Sequence, residues 1–109
     1  NSRKQWLAFY HQPQGRIFVD DGARRALFEA GKSLLPIGIT QVQGGFAAGD
    51  LVSVIYTGGR EIGRGLSNFA SDEIELIKGH RSDAIDKLLD RKDYDEVIHR
   101  DNLVLFSEE

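Results

Sequence analysis

The stretch that decides the fold is Leu51-Val52-Ser53-Val54-Ile55-Tyr56-Thr57-Gly58-Gly59-Arg60-Glu61-Ile62-Gly63-Arg64-Gly65-Leu66. Leu51 to Tyr56 is rich in β-branched and aliphatic side chains and ends on an aromatic, the residue types that suit a pleated, buried surface. Thr57-Gly58-Gly59-Arg60 follows as a hairpin signal, because adjacent glycines accept the positive φ that tight hairpin connections demand. The chain is therefore predicted to return antiparallel from Glu61 to Asn68. Gly63 and Gly65 alternate along that return, which strips one face of side chains and lets another backbone pass closely.

On the N-terminal side of this hairpin, Trp6 to Tyr10 reads as a strand, Gln12-Pro13-Gln14-Gly15 as a turn and Arg16 to Val19 as a second strand. Asp20 or Asp21 can accept backbone N–H bonds as the N-cap of a helix over Gly22 to Ala30, with Ala23, Ala26, Leu27 and Ala30 on its inner face. Gly31 ends the helix, since glycine adopts the left-handed conformation without a Cβ clash. Pro36 argues against a new helix at Leu34-Leu35-Pro36, so the next element is a strand from Ile37 to Val42. Glycines then bracket Phe46 in a loop that leads to Leu51.

On the C-terminal side, Ser71 with Asp72 and Glu73 reads as the cap and acidic first turn of a helix that Gly79 stops. Ser82 is the expected cap of a second helix, with Ile85, Leu88 and Leu89 as its apolar stripe. Val97-Ile98 and Leu103 to Phe106 read as terminal strands on either side of the turn Arg100-Asp101-Asn102. The sum is one domain over residues 1–109, mainly β with short helices, built as a small barrel or sandwich.

At 109 residues and 40% hydrophobic, the chain has enough apolar side chains for one modest core. No apolar run approaches the roughly 20 residues that a membrane helix needs, so no membrane partner is expected. Cysteine is absent, which excludes disulfides and thiolate metal sites and fits a reducing, cytoplasmic setting. The net charge of -3 argues against a generic binder of polyanions. It is unevenly spread, however: residues 1–33 carry six basic and three acidic side chains, whereas residues 71–109 carry six basic and twelve acidic ones. A basic face opposite an acidic one is compatible with that distribution.

Few residues point to chemistry. Gly31-Lys32-Ser33 imitates the end of a phosphate-binding P-loop, but Ala26 stands where the first glycine is required, and the tripeptide follows a helix instead of opening one. His11, His80 and His99 lie in three separate segments without helical ligand spacing, so no metal site is expected. His99 with Asp93, Asp95, Glu96 and Asp101 could gather for acid–base work or a hard cation, although a charged rim explains those residues as well. No catalytic residue is assigned. Arg24, Arg25, Lys32 and Ser33, with Lys4 and Arg16 expected close in space, are the candidates for contacting RNA phosphates or a partner; the competing reading is an exposed helix face.

The run Val19-Asp20, Gly22-Ala23, Ala26-Leu27, Gly31, Ser33-Leu34-Leu35-Pro36 and Gly38-Ile39 resembles the opening of PUA domains, compact pseudo-barrels found in RNA-modifying enzymes. Phe46, Gly49-Asp50, Val52, Glu61-Ile62 and Gly65 continue the pattern. Ser33-Leu34-Leu35-Pro36 and the tail Tyr94-Asp95-Glu96-Val97-Ile98-His99-Arg100-Asp101-Asn102-Leu103-Val104 narrow it to the C-terminal PUA domains of bacterial glutamate 5-kinases. The resemblance implies a PUA-like pseudo-barrel, and a parent that uses ATP and Mg to phosphorylate the glutamate side chain at the start of proline synthesis. It also implies that the catalytic machinery belongs to an N-terminal amino-acid-kinase domain of the same chain, so that residues 1–109 hold no cofactor themselves. In related PUA domains the first helix and the loop after it contact RNA, which corresponds here to Arg24, Arg25, Lys32 and Ser33. The module is then expected to modulate its enzyme or bind an unidentified effector, with RNA binding as the alternative.

Overall fold

The computed structural model describes residues 11–106, so the expected strand over Trp6 to Tyr10 lies outside them. The hairpin that anchors the sequence reading is formed by β3 (Leu51–Tyr56) and β4 (Arg60–Leu66), which pair antiparallel. Gly58 and Gly59 both take φ +87° in the connection, a conformation that a Cβ would penalise. On its other side β3 runs parallel to β1 (Gly15–Val19), whose far edge pairs antiparallel with β2 (Ile39–Gln43). A short strand β5 (Leu103–Leu105) pairs with β4, giving the order β2-β1-β3-β4-β5.

Gly63 and Gly65 face β5 at close range. A Cβ on Gly65 would lie 2.6 Å from Ile98 Cγ2 and 2.7 Å from the Asn102 carbonyl oxygen, and one on Gly63 would lie 2.6 Å from the Val104 carbonyl oxygen. The bare face expected from the sequence is therefore where the C-terminal strand and Ile98 settle.

The two outer strands are stitched together ahead of their first residues. Leu34, which precedes β2, donates its N–H to the Ile98 carbonyl at 2.9 Å, and Val97 donates to the Leu34 carbonyl at 2.8 Å. This isolated antiparallel bridge turns the mixed sheet into the expected pseudo-barrel. Ile17, Val52, Val54 and Ile62 fill its inside together with Leu27, Phe69, Ile74, Ile77, Ile85, Val97 and Ile98, all at most 2% exposed.

Three helices pack around the sheet: α1 (Asp21–Ala30), α2 (Ser71–Ile77) and α3 (Ile85–Leu89). In α1 the inner face uses Ala23, Leu27 and Phe28, while Ala30 is exposed at the C-terminal end. Neither expected serine cap forms. The Ser71 hydroxyl instead exchanges hydrogen bonds with the backbone of Phe46, and Glu73 fills the gap by accepting the Ala70 N–H at 2.9 Å. The Ser82 hydroxyl donates to the Asp95 carbonyl at 2.8 Å. It sits in a 3-10 turn ahead of α3, and the Leu88 of that helix stays 37% exposed.

Two further expectations are corrected. Pro36–Gly38 makes one 3-10 turn before β2 begins at Ile39, because proline suits the first turn of a helix, where its missing N–H has no partner to lose. Val97-Ile98 contributes a single bridge and no extended strand, since its partner segment runs into Pro36 within two residues of Leu34.

Candidate functional site

Of the basic residues singled out in the sequence, Arg24 and Arg25 lie on α1 and Lys32 just after it, Arg16 lies in β1, and Lys4 is outside the described residues. Asp20 takes extended geometry and its carboxylate accepts the Ala23 N–H at 2.8 Å, fixing the start of the helix. Gly31 ends it at φ +59°, and the Lys32 N–H closes back on the Ala26 carbonyl at 3.1 Å. Beyond the cap, the Ser33 hydroxyl accepts the Arg100 N–H at 2.9 Å, tying the post-helix loop to the segment before β5.

Between α1 and the turn at Pro36 lies an apolar groove of about 270 Å³. Ala23, Ala26, Leu35 and Ile37 line it, and so do Lys32 and Ser33. Gly38 lets the turn approach the helix, since a Cβ there would fall 2.5 Å from the Ala23 methyl. Leu35 and Ile37 remain 41% and 50% exposed, so the groove presents apolar surface with one ammonium group beside it.

The four candidate residues do not share one surface, two lying on α1 and two in the loop after it. Lys32 and Ser33 line the groove. Arg25 is exposed. Arg24 turns toward β3, where its guanidinium carbon lies 5.2 Å from the centroid of the Tyr56 ring, within cation–π reach. The Tyr56 hydroxyl donates to the Asp21 carboxylate, which holds that ring in place. Gly31-Lys32-Ser33 ends a helix, so its N–H groups do not form the cradle that a nucleotide phosphate requires.

The His99 neighbourhood resolves into local contacts. His99 Nδ1 accepts the Asp101 N–H at 3.0 Å. Arg91 pairs with Asp93 at 2.6 Å, and Lys92 with Asp95 at 2.7 Å. Among the described residues no group of three or more histidine, aspartate or glutamate side chains is arranged to hold a metal.

A second polar cluster, which sequence reasoning missed, sits on the sheet face opposite the core. The Ser53 hydroxyl donates to Glu61 Oε2 at 2.5 Å, and Arg64 donates from Nε to Oε2 at 2.8 Å and from Nη2 to Oε1 at 3.3 Å. Burial works to raise the Glu61 pKa, but the hydrogen bonds from Arg64 and Ser53 and the charges of Arg64 and Arg16 outweigh it and hold the carboxyl below its ordinary value of 4.5. Strict alternation would place Glu61 and Arg64 on opposite faces of β4. The β-bulge between them, where Val54 faces Gly63 and Ile55 already faces Glu61, brings them to the same side.

The chain matches the family model described as PUA domain over residues 15–89 and belongs to that family. Solved structures agree on the fold: a PUA domain from Aeropyrum pernix, in a tartrate complex, superposes with TM-score 0.57 at 24% identity over 79% of this chain and 41% of that one. The archaeal box H/ACA sRNP Nop10-Cbf5 complex contains a chain that superposes with TM-score 0.53 at 17% identity, over 85% of this chain and 23% of that one.

Within the family, the chain is similar to proteins named glutamate 5-kinase. It is 59% identical to that of Saccharophagus degradans over 95% of its own length and 28% of the relative. The glutamate 5-kinase of Dictyoglomus thermophilum is 49% identical over 98% of this chain and 29% of the relative. The chain thus spans less than a third of the length of these relatives. Among the described residues no helix is long and apolar enough to cross a membrane.

Proposed function

We propose that residues 1–109 are the accessory, regulatory PUA module of a cytoplasmic glutamate 5-kinase, following an N-terminal amino-acid-kinase domain of the same chain and serving proline biosynthesis. One observation carries this reading: identity of 49–59% extends along almost the whole chain yet accounts for only 28–29% of each relative. ATP and Mg belong to the kinase domain in this scheme, with ATP supplying the phosphoryl group. The PUA module contributes a rigid pseudo-barrel whose exposed surfaces tune that domain.

The test is the reading frame upstream of Asn1, expressed with and without the PUA module. The full-length protein is expected to phosphorylate glutamate, and removal of residues 1–109 to change KM or effector response while turnover persists. An upstream frame without a kinase domain, or a full-length protein inert toward glutamate, overturns the proposal.

RNA binding is the second reading, supported by the exposed Arg25 and by Lys32 beside the apolar groove. Fluorescence anisotropy with a structured RNA should then show affinity that falls steeply with salt. Arg25→Ala and Lys32→Ala should each weaken it. Absence of binding at low salt removes this reading.

A further inference from the structure

The groove over the outer face of the sheet is larger than the one beside α1, about 560 Å³, within the range of small-molecule sites. None of Arg24, Arg25, Lys32 or Ser33 lines it. Its floor is a transverse row of sheet partners, in which Arg16 sits between Gln43 on β2 and Ser53 on β3, and Ser53 is followed by Arg64 on β4. Neighbouring strands lie about 4.8 Å apart, so these four side chains line the groove at regular intervals.

The charges along this row are not balanced. Both oxygens of the Glu61 carboxylate are engaged by Arg64, and one of them also by Ser53. Arg64 and Glu61 therefore form a hydrogen-bonded ion pair. Arg16 is exposed and, among the described residues, makes no hydrogen bond or ion pair of its own. Arg16, Arg64 and Glu61 together leave the groove with one net positive charge, and the Arg16 guanidinium, which attracts Glu61 without a direct ion pair, is flanked by Gln43 with Gln12 and Gln14 in the same lining. Ile55, 4% exposed, adds a small apolar area to the same lining.

We infer that this groove binds a small organic monocarboxylate, with Arg16 as the anchor for the carboxylate and Ile55 beneath the ligand's carbon skeleton. A planar guanidinium presents paired N–H donors that match a carboxylate. One net positive charge neutralises a monoanion, whereas a phosphate dianion would keep excess negative charge beside Glu61. The inference does not involve Arg25 or Lys32, the residues that support the RNA reading above, and it stands whether or not the chain belongs to a kinase.

The test is a ¹H–¹⁵N NMR titration of the 109-residue chain with sodium butyrate, with inorganic phosphate and neutral butyramide as separate arms at constant ionic strength. Butyrate is expected to give saturable shifts at Arg16, Gln43 and Ser53, with a Kd on the order of millimolar for a solvent-open site holding one ion pair. Arg16→Gln should weaken binding at least about tenfold, the factor that 1.4 kcal/mol represents, and Gln43→Glu should do the same by pairing with Arg16. Both positions are exposed, so the variants should keep the native spectrum, and the pair guards against a folding defect in either one. Shifts that fail to saturate, shifts centred on Lys32 and Ser33, tighter binding of phosphate or butyramide, or unchanged binding in both variants would each overturn the inference.

Discussion

Arg64 Nε lies 2.8 Å from Glu61 Oε2 although the two residues are three apart in one β-strand, a spacing at which side chains normally point to opposite faces. The bulge at Ile62 makes the contact possible. It keeps Ile62 in the core, 2% exposed, and turns both charged neighbours outward. The same displacement sets Glu61 opposite Ile55 and within reach of the Ser53 hydroxyl. A single extra residue in β4 thus builds the floor of the outer groove.

This network predicts a pH-dependent contribution to stability. The folded Glu61 pKa lies below the ordinary 4.5, so the stabilisation is present above that value and is lost as the pH falls through the folded pKa. Glu61→Gln should cost roughly 1 kcal/mol at neutral pH, allowing for partial exposure of the group. Urea unfolding at pH 7 and at successively lower pH should show the gap between the two proteins narrowing in acid. A gap that does not change with pH would assign the cost to packing.

Gly65→Ala should destabilise the fold by about 1–3 kcal/mol, because the added methyl meets both Ile98 and the Asn102 carbonyl. Gly45→Ala is the matched control, with nothing within 4 Å of the new Cβ, and should stay within about 0.5 kcal/mol of the native protein. Thermal or urea unfolding midpoints distinguish the two.

The seam between the outer strands should be sensitive at Ile98 and tolerant at Ser33. Ile98→Ala removes a fully buried side chain and should cost about 2–5 kcal/mol. Ser33→Ala deletes one acceptor for the Arg100 N–H, which water can replace in part, and should cost about 0.5–1.5 kcal/mol. Hydrogen exchange at the Leu34 and Val97 amides, both donors in the bridge, should accelerate in Ile98→Ala.

Gly31→Ala tests backbone conformation by itself, since nothing lies within 4 Å of the Cβ position and φ is +59°. The expected loss is about 1 kcal/mol. If Lys32 and Ser33 bind RNA as the second reading holds, the same variant should also weaken RNA affinity, because the cap sets where both side chains stand.

Local chemistry was legible wherever it depends on a few consecutive residues. The β3 strand, its glycine hairpin, an N-cap of α1 at Asp20 or Asp21, the Gly31 cap at its other end and the bare face at Gly63 and Gly65 all follow from propensity, side-chain capping, left-handed glycine or missing Cβ atoms, and the PUA resemblance could be read from short runs; the fold selected Asp20 for the N-cap. Ser71 and Ser82 misled because a hydroxyl satisfies whichever backbone group the tertiary fold brings nearest, and here those belong to Phe46 and Asp95. The Leu34–Ile98 bridge joins segments far apart in sequence, so only the closed sheet could define it. The outer groove was hidden for a related reason. Glu61 and Arg64 are placed by a bulge and Arg16 by a parallel pairing to Ser53, and neither register leaves a mark in strand propensity. The chain's residues determined which local elements could form; the pairing of strands across the sheet decided which charges meet, because hydrogen-bond register is a property of two segments together.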